Sequence, residues 1–215
     1  MIETRPERVL MPHTVSPEGD ASGWPELLRD DLRLSLGRGQ GRWSQAITAI
    51  AWIHLLAFVG CQAIYEPERL RDSRMTILWF GEFVAVLVAL RAIVGPGWVR
   101  SSASIRLISR FWATFLILSF NMVVLNELTG WEVRWYRPAW GTLSTFFLAS
   151  LAWLFSPRFF IAAVQMYFTA LLMYRFKHFD NLIYGVSWWL ILLGVGRSIA
   201  RIERATTPAA AQGPS

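Results

Sequence analysis

TILWFGEFVAVLVALRAIV, residues 76–94, decides the fold. A helix rising about 1.5 Å per residue needs roughly 20 apolar residues, with a range of 17–25, to cross the hydrocarbon of a bilayer. This stretch is close to that length, and the charges in it are Glu82 and Arg91. Arg91 lies near its end, from where a long side chain reaches water. Glu82 does not: by helical rise it sits about 4 Å from the centre. A lone charge at that depth costs about 2.5–3.5 kcal/mol on insertion scales. Glu82 is therefore expected to be protonated, paired, or turned toward a polar interior.

Outward from this stretch, the chain repeats the pattern. Apolar segments fall at about 44–65, 75–94, 105–128, 139–155, 159–174 and 182–199. A soluble bundle could explain one such run, but not six. The expected fold is an all-α integral membrane protein, a six-helix transmembrane bundle over residues 43–199. The fourth and fifth segments are short and meet at FSPRFF, residues 155–160, where Pro157 forces a break. They form either two full spans or one re-entrant hairpin.

Composition supports a membrane class. The chain of 215 residues is 54% hydrophobic and holds 12 Trp, more apolar and aromatic material than a soluble domain of this size needs. The net charge of +6 does not indicate nucleic acid, because the cations lie between apolar runs rather than along one basic stripe. All but Lys177 are arginines. The single cysteine, Cys61, excludes an intrachain disulfide and a cysteine-based metal site. Three histidines, His13, His54 and His178, are too few for a multi-histidine haem or di-metal centre. HExxH, GxSxG and nucleotide-binding loop motifs are absent. No catalytic set, metal site or cofactor is assigned on these grounds.

Residues 1–23 are mixed-charge with Pro and Gly, and are expected to be disordered. They lack the apolar core of a cleaved signal, so the segment is expected to stay attached. WPELLRDDLRLSL, residues 24–36, reads as a short N-terminal amphipathic helix. Trp24, Leu27, Leu28, Leu32 and Leu36 share one face, which rests on the membrane surface or on the protein's own loops. GRGQGR, residues 37–42, is a linker that completes this unit. Residues 200–215 are expected to form a flexible C-terminal tail.

Six spans put both termini on one side. Eleven cations near span ends fall on that side and seven on the other, which places the termini in the cytoplasm of an inner or plasma membrane. The loop TGWEVRWYRPAW, residues 129–140, lies on the opposite side. There Trp131 and Trp135 suit the interfacial level, and Arg134 and Arg137 suit lipid phosphates. Lys177, His178, Asp180 and Asn181 form either a small external site or a simply solvated turn, with Asp180 as a helix cap.

Each span brings a polar group to the central or outer half. His54 and Gln165 fall near span centres, Ser187 a few Å outward and Asn121 about 7 Å outward. Thr142, Ser144 and Thr145 add hydroxyls on the fourth segment. His54 is the best partner for Glu82, since consecutive spans are usually neighbours and the two depths nearly match. His54, Glu82, Asn121, Gln165 and Ser187 then form either a proton- or ligand-binding site or interhelical glue.

Three functions compete. An accessory or assembly subunit would pack against lipid, including anionic lipid, and against partner membrane subunits or a second copy. A binding or transport subunit would use the cluster around Glu82 and His54. A membrane-embedded enzyme would use the same two groups as acid and base, without any accompanying nucleophile motif.

Overall fold

Apolar runs punctuated by Gly and Pro fold as helices joined by tight turns, and the computed structural model describes this for residues 23–38, 42–64, 73–129 and 133–206. These residues form seven α-helices and no strand. They are α1 (Trp24–Gly37), α2 (Arg42–Ala63), α3 (Ser73–Ile93), α4 (Ala103–Thr129), α5 (Val133–Leu154), α6 (Phe159–Arg175) and α7 (Asp180–Thr206). Four of them, α2, α3, α4 and α7, are long and apolar enough to cross a membrane. α6 is apolar but has 17 residues. α5 has 22 residues and carries Arg134 and Arg137 in its first turns. The expectations for residues 1–22, for linker residues 39–41 and for residues 207–215 lie outside the described residues.

Two boundaries differ from the sequence reading. Residues 133–140, read as loop, are helical, and Pro138 sits inside α5. Its ring removes one early backbone bond, a tolerable loss close to a helix start. At the other end, α7 continues to Thr206, so the first part of the expected C-terminal tail is helix. The cause is Glu203, buried against the start of α2, which accepts a hydrogen bond from the Trp43 N–H at 3.1 Å. A helix N-terminus leaves its first N–H groups unsatisfied, and a carboxylate there meets both the donors and the helix dipole.

α2 packs most extensively on α7, and small residues make this possible. A Cβ placed on Gly185 would lie 2.5 Å from the Cβ of Phe58. One on Gly196 would lie 3.1 Å from Thr48 Oγ1. These glycines are three turns apart on one face of α7. Opposite Gly196, the α2 backbone at Ser44 is also close, its carbonyl 3.5 Å from that Cβ. α5 approaches α6 in the same way: a Cβ on Gly141 would lie 2.7 Å from that of Ala170. Close backbone approach through small residues is the usual way membrane helices gain packing contacts. The main core between these helices is built from Phe58, Phe147, Leu148, Met166, Tyr184 and Trp188, among others.

α3 and α4 are joined through Gly95, whose φ of 115° only glycine adopts readily. Of the four helices long enough to cross a membrane, these two are the least covered. Only 11% and 6% of their apolar stretches are buried in the chain, against 28% for α2 and for α7. α1 lies across one end of the bundle. Leu28, Leu32 and Leu36, one turn apart, pack onto α4, α5 and α7, while Trp24, Leu27 and Leu34 remain exposed. The expected apolar face is thus divided between the protein and its surroundings.

Polar contacts fasten α1 in place. The Asp31 carboxylate accepts from the Ser104 N–H at 2.8 Å, and the Ser104 hydroxyl donates to the Leu28 carbonyl at 2.7 Å. Asp31 thereby caps α4 from another helix. Arg29 Nε donates to the Phe155 carbonyl at 2.8 Å, satisfying an acceptor left free where α5 ends.

Candidate functional site

His54 stands midway along α2 and Glu82 midway along α3, and the two meet. His54 Nδ1 and Glu82 Oε1 share a hydrogen bond, with both side chains largely buried. The imidazole is walled by aromatic rings. Phe58 lies one turn on, at 4.6 Å between centroids, Trp188 meets it edge-on at 6.0 Å, and Tyr184 lies at 6.2 Å. His54 Nε2 is buried and has no hydrogen-bond partner among the described residues. The Trp188 indole N–H is in the same condition.

Tyr184 links this group to α5. Its hydroxyl and that of Ser144 are 2.8 Å apart, and both residues are buried. Tyr184 and Trp188 are one turn apart on α7, so they present one face to the His54–Glu82 pair.

Gln165 and Ser187 form a second group, on a neighbouring face of α7. The Gln165 side-chain amide donates to the Ser187 carbonyl at 3.2 Å. The hydroxyls of Ser187 and Thr169 are 2.8 Å apart, and Thr169 Oγ1 also lies 2.9 Å from the Gln165 carbonyl. One hydroxyl hydrogen cannot serve both neighbours, so Ser187 donates to Thr169 when Thr169 donates to the carbonyl. This network ties α6 to α7.

Asn121 belongs to neither group. It is exposed on α4, and no hydrogen bond reaches its amide among the described residues. The five expected site residues therefore divide into two interhelical pairs and one outward-facing amide. Tyr184, Trp188 and Thr169 join these pairs without having been singled out in the sequence. Aromatic and hydroxyl residues are too common in apolar helices to stand out there.

Of the expected headgroup residues, Trp131 lies outside the described residues, as do the side chains of Arg134 and Trp135. Arg137 turns inward. Its guanidinium donates to the Asp180 carboxylate, whose oxygen also accepts from the Asn181 N–H at 2.7 Å. Asp180 and Asn181, expected in a solvated turn, are buried at 1% and 6% exposure. A buried carboxylate at the first turn of α7 is held by the cation beside it and by the helix N-terminus. Among the described residues, no group of three His, Cys, Asp or Glu side chains is placed to hold a metal ion.

No family model matches the chain, and no curated protein or solved structure matches it.

Proposed function

We propose that the chain is a six-span membrane protein of accessory or assembly type, non-enzymatic, which packs its outer faces against lipid and partner chains. The observation that carries this reading is the contrast between inside and outside. Inside, polar side chains pair across helices at His54–Glu82 and Ser144–Tyr184, and Gln165 reaches the Ser187 carbonyl. The barest span, α4, presents Asn121 outward. An amide in a lipid-facing position gains a partner when a second membrane helix covers it.

α5 and α6 are read as the remaining two spans. α5 has 22 residues and α6 has 17, the lower end of the length that crosses a bilayer. They pack closely through Gly141 and Ala170 and are joined by the short turn at Pro157. The excess of arginines on the side of the termini supports a cytoplasmic placement of both. α1, with Trp24, Leu27 and Leu34 uncovered, then lies in the plane of the cytoplasmic interface.

A second reading, binding of a proton or a small polar molecule, is favoured by the buried and unpartnered Nε2 of His54. It takes the same pair as a site with one open valence.

The test is crosslinking in native membranes. Asn121→Cys, in a Cys61→Ser background, is expected to form an oxidant-dependent crosslink to a second copy or to a partner chain. A cysteine at exposed Ile117, about a turn away, serves as the geometric control. Absence of any crosslink at both positions, with the protein fully membrane-integrated, would overturn the assembly reading and leave the second.

A further inference from the structure

A groove of about 180 Å³ runs between α4 and α5, open along one side. Arg110, Thr114 and Leu118 line it from α4, and Leu143, Phe146 and Phe147 from α5. Every other lining residue is apolar. The Thr114 hydroxyl is already committed, donating to the Arg110 carbonyl at 3.0 Å. One polar group is left at the groove, the Arg110 guanidinium. It is exposed, and no carboxylate pairs with it among the described residues.

We infer that this groove binds an anionic phospholipid, with its phosphate on Arg110 and one acyl chain along the apolar walls. The inference rests on reading α4 as a membrane span. Arg110 stands seven residues into α4, about 10 Å from its start. Side chains on a helix tilt toward its N-terminus, so the guanidinium points back toward the headgroup level. From Arg110 to Leu118 the groove then follows about 12 Å of helix into the hydrocarbon. Walls of Leu and Phe stay dry, and hydrocarbon is what the bilayer offers to fill them.

The charge pattern asks for an anion. Arg106 lies four residues before Arg110 on the same face, and is also exposed. Like charges at that spacing destabilise a helix. Arg106 has Asp31 nearby as a counter-charge, and among the described residues Arg110 has none. A phosphodiester supplies it, with oxygens that suit the planar fork of arginine. A neighbouring apolar helix would fill the groove and leave the cation unmatched. The end of α4 concerned is the one assigned to the cytoplasmic leaflet, where anionic lipid is enriched.

The test uses the full chain, delipidated in mild detergent and titrated with dioleoylphosphatidylglycerol or dioleoylphosphatidylcholine, with adducts counted by native mass spectrometry. The wild type is expected to retain one phosphatidylglycerol at concentrations where phosphatidylcholine is lost. Arg110→Gln is expected to weaken that adduct about tenfold or more. Leu118→Trp, which fills the groove and keeps the charge, is expected to remove it. Arg91→Gln, at an exposed arginine on α3, should retain it. Equal retention of the two lipids by the wild type overturns the inference, as does an undiminished adduct in either groove variant. Should Arg110→Gln not fold, the wild-type preference and Leu118→Trp decide. Resistance of the chain to carbonate extraction from membranes reports the span reading separately, so its failure is distinguishable from absence of the lipid site.

Discussion

The Asp31 carboxylate of α1 accepts the Ser104 N–H of α4 at 2.8 Å, so one helix caps another across 73 residues of chain. Burial pushes the Asp31 carboxyl upward, but hydrogen bonds from Ser104 and Ser102 and the nearby Arg106 together hold it below the usual carboxylate range. A carboxylate with a depressed folded-state pKa stabilises above its unfolded value of about 3.9, and that contribution is lost as pH falls through the folded value. Acidification through this range is expected to loosen α1 while the rest of the bundle persists. Asp31→Ala should do the same at neutral pH, at a cost of about 1 kcal/mol. Hydrogen exchange over residues 24–37 reads both effects. Unchanged protection in Asp31→Ala would show that the cap does not hold α1.

Gly185 and Gly194 sit on the same helix and make opposite predictions. Gly185→Leu drives a side chain into Phe58, where even a Cβ would be 2.5 Å away, and is expected to cost about 1–3 kcal/mol or more. Gly194 has open space around the position of a Cβ. Gly194→Ala is expected to be neutral, or stabilising by up to about 1 kcal/mol through helix propensity. Melting temperatures in one detergent compare the two directly.

Arg137 and Asp180 are 13% and 2% exposed at their side chains, so removing Arg137 leaves the Asp180 carboxylate buried without that cation, and removing Asp180 takes a carboxylate from a buried guanidinium. Arg137→Ala or Asp180→Ala is expected to cost about 3–5 kcal/mol. Arg137→Met combined with Asp180→Leu should recover much of that, because neither charge then remains. The melting temperature of the double variant, set against both single variants, is the measurement.

The helical character was legible in the sequence because apolar runs of spanning length are bounded by Gly, Pro and Arg. The break at Pro157 and the start of α1 at Trp24 follow from proline chemistry alone. The His54–Glu82 pair was legible because two consecutive helices bring those groups to one depth. Rotation about the helix axes was not. α4 is apolar nearly all round, so hydropathy does not say which face points inward, and Asn121 proves to face out. The partnership of Glu203 with Trp43 spans 160 residues and depends on the length of α7. Gly185 and Gly196 do their packing eleven residues apart, a spacing that a search for small residues four apart does not find.

The central claim is that polar groups inside the bundle join its helices. A double-mutant cycle on His54 and Glu82, with His54→Phe, Glu82→Leu and both together, tests it most directly through reversible unfolding in mixed micelles. Each single variant should lose stability, and the double variant should lose less than their sum. The expected coupling is about 0.6–1.7 kcal/mol. Additive effects, or single variants as stable as the wild type, would show that the pair fastens nothing and would contradict the account.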